Sequence, residues 1–283
     1  RDLHSFPTRR SSDLSVLMRV GLAALVFLPF LRTRGQSPRT IVLYMLVGAM
    51  QLGIMYLLAF RAYLYLTVSE FLLFTVFTPL YITLIYDLLS GRKLRWGYLL
   101  SAALAVLGAA IIRYDKVSDH FWTGLLLVQL SNLCFAIGMV GYKRLMEVRP
   151  MPQHNAFAWF YVGAFIVAVA AWFMLGNAQK LPTTTLQWSV LVWLGVVASG
   201  LGYFMWNYGA TQVDAGTLGI MNNVHVPAGL LVNLAIWQEQ PHWPSFISGA
   251  LVILASLWVH RRWVAPHSGQ TADDRRRGSA QSE

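Results

Sequence analysis

From Ser15 to Val259 the chain is a succession of long apolar runs joined by short charged connectors. The run Ile41–Phe60 carries no charged side chain and has about the length a helix needs to cross the hydrocarbon layer of a bilayer. Lipid offers no partner to a backbone amide, so a spanning segment must be a helix or part of a closed barrel. These runs are too long and too uniformly apolar for barrel strands, in which lipid-facing and lumen-facing residues alternate. The expected fold class is an all-α membrane protein whose surrounding partner is the lipid bilayer.

Composition supports this and narrows the function classes. With 56% hydrophobic residues, 12% charged residues and a mean hydropathy of +0.51, too few polar side chains are present to cover a soluble domain of this length. The formal net charge of +10 raises nucleic acid as a partner, but the basic residues lie in connectors and the tail instead of forming a stripe. No nucleic-acid partner is expected; anchoring and orientation account for the charge. The single cysteine, Cys134, lies inside an apolar run, which leaves no intramolecular disulfide and no Cys-rich metal pattern. No nucleophile elbow, phosphate loop, paired-carboxylate site or HExxH motif is present, so no catalytic residue, metal or cofactor is assigned and an enzyme is not expected.

Residues 1–14, RDLHSFPTRRSSDL, differ from the rest. They are polar, lack helical periodicity and stop where a membrane helix is already under way. With no apolar core and no cleavage site they read as neither signal nor transit peptide. The segment resembles a translated sequencing adapter, and the expectation is that it carries no function and that a first helix is missing.

Helices are expected at about Ser15–Leu31, Ile41–Phe60, Val68–Leu88, Tyr98–Ile112, Trp122–Tyr142, Phe157–Leu175, Trp188–Tyr208, Ala215–Trp237 and Phe246–Val259, about nine in all. Basic connectors (Arg32, Arg34, Arg39; Arg92, Lys93, Arg95; Lys143, Arg144, Arg149) alternate with balanced ones such as Arg113, Asp115, Lys116 and Asp119. This alternation places the basic connectors, His260–Arg262 and the tail on the cytoplasmic side. Residues 261–283 read as a disordered polar tail.

A shift of 148 residues brings Ala62 onto Ala210 and Pro79 onto Pro227 and aligns the apolar runs that follow. An offset of five helices makes the two copies, residues 15–112 and 122–260, cross the membrane in opposite senses, the inverted symmetry of alternating-access carriers. Pro79 and Pro227 each fall within an expected helix, where the ring removes a donor and frees a carbonyl. Either is a structural kink or a flexing point.

The paired halves, the prolines and the stretch TLGIMNNVHVPAGLLVNLAIWQEQPHWPSFISGALVI resemble the EamA-type permeases of the drug/metabolite transporter superfamily. That resemblance implies ten helices in two five-helix repeats, here without the first. With RVGLAALVFLPFLRTRG, FAIGMVGYKRLM and RPMPQHNAFAWFY included, residues 16 to about 274 resemble the branch of bacterial inner-membrane carriers that import biotin, also catalogued as carboxylate/amino acid/amine transporters. The family's acidic residue after the ninth helix stands as Glu239, whereas the matching place in the first half is Gly91.

A carrier for biotin needs a cation for the carboxylate, amides for the ureido ring and aromatic faces for the bicycle. Arg19 either turns into a cavity or snorkels to headgroups. Arg61 either serves the same end or pairs with Glu70 outside the membrane core. Helical spacing puts Asn222 and His225 on one face, with Asn223 turned by about 100°; these polar groups either line a cavity or bond across helices, and His225 is also a candidate for proton coupling. Trp206 and Trp159 are candidates for ring stacking, against the alternative of an interfacial aromatic belt, and Asn207 beside Trp206 is a further substrate-binding candidate. Gln51 and Asn132 are isolated amides in apolar runs, with cavity lining and helix bonding both open. Gly195 with Ser199 and Ala198 with Gly202 read as small-residue packing pairs. The functional expectation is an importer of a small carboxylate-bearing metabolite, biotin by resemblance. The alternatives are an exporter of amino acids or amines and, in a different class, a membrane enzyme or a non-transporting scaffold.

Overall fold

The structure is a computed structural model that describes residues 12–66, 74–91, 121–175, 184–224 and 243–259, together with scattered positions between 71 and 107, 227–235 and at 262. The described residues are helical, without strands, and the fold is that of an all-α membrane protein. Four helices are long and apolar enough to cross a bilayer: α2 (Pro38–Ala62), α4 (Phe121–Val148), α5 (Gln153–Leu175) and α6 (Thr185–Gln212). The others are α1 (Ser12–Phe27), extended by a 3₁₀ turn at Leu28–Phe30, α3 (Thr78–Leu89), α7 (Ala215–Asn222) and α8 (Trp243–Val259). Most of the expected helix at Tyr98–Ile112, most of residues 1–14 and all of the tail but Arg262 lie outside the described residues.

Contacts divide the chain into two units, each drawn from both halves of the sequence: Arg1–Thr75 with Lys116–Val213, and Val76–Asp115 with Asp214–Glu283. In the first, α5 packs against α1 and α2, α2 against α4, and α1 against the middle of α6. Helix α5 has no charged residue apart from His154, in keeping with its place between two neighbours. Where α2 crosses α5 the backbones touch. A Cβ at Gly48 would lie 1.9 Å from the Phe160 carbonyl oxygen, and one at Gly163 would lie 1.9 Å from that of Met45. With no hydrophobic force between helices in lipid, such close approach and the dispersion contacts it permits hold the pair together. Around it Phe27, Tyr142, Phe157, Phe160 and Tyr161 form one aromatic core.

Two of the basic connectors, those of Arg32–Arg39 and of Arg149, meet at one end of this unit. The Arg32 amide donates to Asn155 Oδ1, the Tyr44 hydroxyl donates to the Arg149 carbonyl, and an Arg149 guanidinium N–H reaches Thr40 Oγ1. Lys143 and Arg144, read from the sequence as connector residues, lie in α4, which runs two turns further than expected to Val148. Their partner Glu147, within reach at i+4 and i+3, lets the helix continue. Lys143 Nζ also donates to the Val213 carbonyl, 2.7 Å away, just beyond the end of α6. Helix α1 starts at Ser12, inside the segment set apart as 1–14, and Leu14 is already buried.

In the second unit α7 packs against α3 and α8, and Val76, Ile220 and Ile253 form its core. Asp214 caps α7, accepting from the amides of Gly216 and Thr217 and from the Thr217 hydroxyl. The continuous helix expected over Ala215–Trp237 is interrupted: α7 ends at Asn222, and Asn223 and Val224 form a turn. Pro227 explains the break, since its ring collides with the carbonyl four residues back, that of Asn223. Pro79 acts alike. It sits in the first turn of α3, after the 3₁₀ turn Thr75–Phe77, instead of inside a helix. In that turn Val76 needs a donor at residue 79, which proline lacks; the Asn223 amide supplies it, Nδ2 to Val76 O at 3.1 Å.

Two outcomes follow from this packing. Gly163→Val should prevent α2 and α5 from closing, seen as loss of the monodisperse peak in detergent size-exclusion chromatography. Asn223→Leu leaves the Val76 carbonyl without its donor and should cost about 1–3 kcal/mol in denaturant unfolding.

Candidate functional site

Arg19 lies near the middle of α1, seven residues from its start and eight from its end, and its side chain turns inward. Nε donates to Ser199 Oγ at 3.0 Å and Nη2 to the Tyr56 hydroxyl at 2.8 Å. The guanidinium also stands over the ring of Tyr56, 4.7 Å from its centroid, and 6.0 Å from that of Phe60. Tyr56 Oη and Ser199 Oγ are bonded to each other at 3.1 Å, closing a triangle. Of the five N–H donors on a guanidinium, two are used here. No carboxylate among the described residues lies within ion-pair distance of Arg19.

Two π-helical segments build this corner. Ser199 belongs to the segment Leu194–Gly202 of α6, whose backbone is held by α5: the Tyr161 hydroxyl donates to the carbonyls of Ser199 and Gly200, the latter at 2.9 Å. Tyr56 follows the segment Ala49–Ile54 of α2. On an α-helix residues five apart diverge by about 140°, but i to i+5 closure in a π-helix brings them to one face. Gln51 and Tyr56 accordingly both reach α6, Gln51 Nε2 donating to Asn207 Oδ1 at 3.1 Å. On α6 the matching residues Ser199, Tyr203 and Asn207 recur every four, and the Tyr203 ring meets Tyr56 edge-on with centroids 6.1 Å apart. Gly138 of α4 backs Gln51 so closely that a Cβ there would lie 2.2 Å from the Gln51 Cβ.

The other sequence candidates fall elsewhere. Arg61 is in the last turn of α2, where a cation opposes the negative end of the helix dipole, and its side chain makes no hydrogen bond to another described residue. Glu70, its expected partner, lies outside the described residues, as does His225. Trp159 is partly buried near the basic end, with its ring N–H bound to the Arg32 carbonyl at 3.2 Å. Trp206 packs α6 on α4 through a contact of its N–H with Met139 Sδ at 3.0 Å. Asn207 is fully buried. Asn222 and Asn223 are buried in the second unit, and Asn132 bonds across helices to the Phe74 carbonyl. Gly195 packs on Leu22 of α1 as expected of a small residue, whereas Gly202 is exposed and Ser199 uses its hydroxyl. The sequence reading missed Tyr56, Ser199 and Tyr203, because tyrosine in an apolar run and serine in a Gly/Ala stripe both read as packing.

A helical membrane protein with an inward cation at mid-helix, bonded to two hydroxyls and to no carboxylate among the described residues, fits the class that handles charged or polar solutes within the bilayer. The EamA-like transporter family model matches the chain twice, over residues 6–114 and 122–261, and the chain belongs to that family. It is 82% identical over 272 residues to the protein named biotin transporter in Escherichia coli (strain K12), covering 96% of this chain and 91% of that one. It is 53% identical over 252 residues to a probable biotin transporter of Pseudomonas aeruginosa, covering 88% of each. A solved crystal structure shares the fold with a TM-score of 0.71 at 17% identity, over 88% of this chain and 86% of that chain.

Arg19 holds a charge that no carboxylate among the described residues neutralises, so Arg19→Met, similar in volume and apolar, should leave the detergent melting temperature unchanged or raise it. A fall of several degrees would mean that the guanidinium is a structural brace.

Proposed function

We propose that the protein imports biotin across the bacterial inner membrane by alternating access, its C-terminal tail in the cytoplasm. The observation that carries the proposal is the Arg19 guanidinium, held in place by Ser199 and Tyr56 but without a counter-charge among the described residues. The substrate carboxylate supplies it. The N–H groups not engaged by protein suit a two-point carboxylate contact, which an ammonium would not offer. The names of the relatives favour biotin among carboxylates. The basic connectors gathered at one end of the first unit favour that end as cytoplasmic. Trp206, one residue before Asn207, is the aromatic face we assign to the bicyclic ring, while Trp159 at the basic end serves the interfacial belt. Arg61 is the reserve cation, and the amides Asn222 and Asn223 support the broken helix of the second unit.

A polar site at this depth is an expense in stability that a solute can justify. Occupied, the arginine and the carboxylate neutralise each other; empty, the positive charge faces two hydroxyls and two rings. Movement of the loaded site from one face to the other follows from the two sequence repeats, which place equivalent segments in opposite senses.

Labelled biotin uptake into proteoliposomes, with and without a proton gradient, tests this. Saturable uptake is expected, displaced by unlabelled biotin but not by biotin methyl ester, and reduced about 30-fold or more by Arg19→Ala. Uptake displaced by an amino-acid panel and not by biotin overturns the substrate; undiminished uptake by Arg19→Ala overturns the carboxylate site.

A further inference from the structure

The buried amides of the first unit are wired in one direction. The Tyr203 carbonyl can only accept, so the Asn207 carboxamide must turn its NH₂ toward it, and Nδ2 donates to that oxygen at 3.1 Å. Asn207 Oδ1 then faces Gln51, whose NH₂ must donate to it. The relay leaves Gln51 Oε1 over. That oxygen has no hydrogen-bond partner although the residue is 0% exposed. A carboxamide oxygen closed off from water and unpaired is costly, and a fully apolar residue would fill the same space without the penalty. The helix nevertheless places it with care: the π-helical turn aligns Gln51 with Tyr56, and Gly138 leaves room behind it.

We propose that Gln51 Oε1 accepts a ureido N–H of the substrate and so sets the specificity of the site, with Asn207 as the residue that orients it; this rests on the biotin reading above. Ser199 and Asn207 lie eight residues apart on one stripe of α6, a separation on the order of 10 Å. Arg19, with Ser199 and Tyr56, marks one end of that stripe and Gln51 with Asn207 the other. The chemistry required is an anion at one end and an N–H donor at the other, joined by an apolar chain past the rings of Tyr56 and Tyr203. Biotin has that layout: a carboxylate, a four-carbon tether and a ureido ring. Lipoate shares the carboxylate and the tether and carries a sulfur ring, but has no N–H to offer. A site built around an acceptor rejects the analogue that leaves it unpaired far more strongly than a shape-matched pocket does.

The test is competition against labelled biotin uptake in proteoliposomes by unlabelled biotin, by desthiobiotin, which keeps ureido and carboxylate, and by lipoate. The wild-type protein should prefer biotin and desthiobiotin over lipoate by about 100-fold or more. In Gln51→Met that preference should shrink by about 10-fold or more, through weaker biotin binding with lipoate unchanged. Gln51→Glu, protonated at this depth, keeps both the donor to Asn207 and the free carbonyl, and should retain the preference. The ratio is read on whatever fraction inserts, so a low yield of either variant does not affect it; if Gln51→Met yields no folded protein, equal competition by lipoate in the wild type or loss of preference in Gln51→Glu decides against the proposal. A preference unchanged in Gln51→Met, while Arg19→Ala still abolishes uptake, overturns the role of Gln51 and leaves the carboxylate site standing. Absence of biotin uptake by the wild type removes the underlying reading instead.

Discussion

A guanidinium in the middle of an apolar helix is the constraint to which the rest of the first unit answers. Its desolvation is unfavourable by several kcal/mol even after relaxation. The protein recovers part of this with two hydroxyl acceptors and the faces of Tyr56 and Phe60. Among the described residues no carboxylate, the partner that would neutralise the charge outright, stands within ion-pair distance. Helix α1 had to turn Arg19 away from lipid, α6 had to bring a hydroxyl to it, and α5 had to fix that hydroxyl by engaging the backbone around Ser199 through Tyr161.

The π-helical segments explain how two helices present polar groups that a regular helix would scatter. An α-helix with residues at five-residue spacing sends one of the pair toward lipid, where an amide or phenol hydroxyl finds no partner. The Ala49–Ile54 segment redirects Gln51 and Tyr56 to the same neighbour. The cost is a stretch of backbone whose carbonyls are less regularly paired, and these become acceptors for side chains. In the corresponding segment of α6, Leu194–Gly202, the Tyr161 hydroxyl on the Ser199 and Gly200 carbonyls is such a use.

The spanning runs were legible in the sequence because hydrophobic length is a local property: α2, α5 and α6 lie where the apolar stretches do. Arg19 was legible as well, since a charge inside such a run has few resting places. Its surroundings were not. Tyr56 is one of many aromatic residues in an apolar run, Ser199 sits in a stripe of small residues, and a π-helical turn leaves no trace in a pattern read at 3.6 residues per turn. The helix breaks at Asn223 and Phe77 were half legible: Pro227 and Pro79 announced a disturbed ladder, but a kink within a helix and the start of a new one have the same composition. What decided between them was a long-range partner, the Asn223 amide on the Val76 carbonyl, 147 residues apart in sequence.

The buried polar groups of the first unit also balance in a way that single residues do not reveal. Tyr56, Ser199, Tyr161 and Asn207 bond within the protein, and the groups left over are of complementary kinds: guanidinium donors at Arg19 and one carbonyl acceptor at Gln51. A scaffold selected for stability alone would pair them or replace them with apolar side chains, which lipid-exposed helices tolerate at no cost. A bundle that leaves donors at one end of a stripe and an acceptor at the other keeps in its interior the outline of a molecule bearing the opposite pattern. On the reading proposed above, an empty site that is unfavourable binds its neutralising solute the more readily, so release requires the site itself to change as it passes from one face to the other.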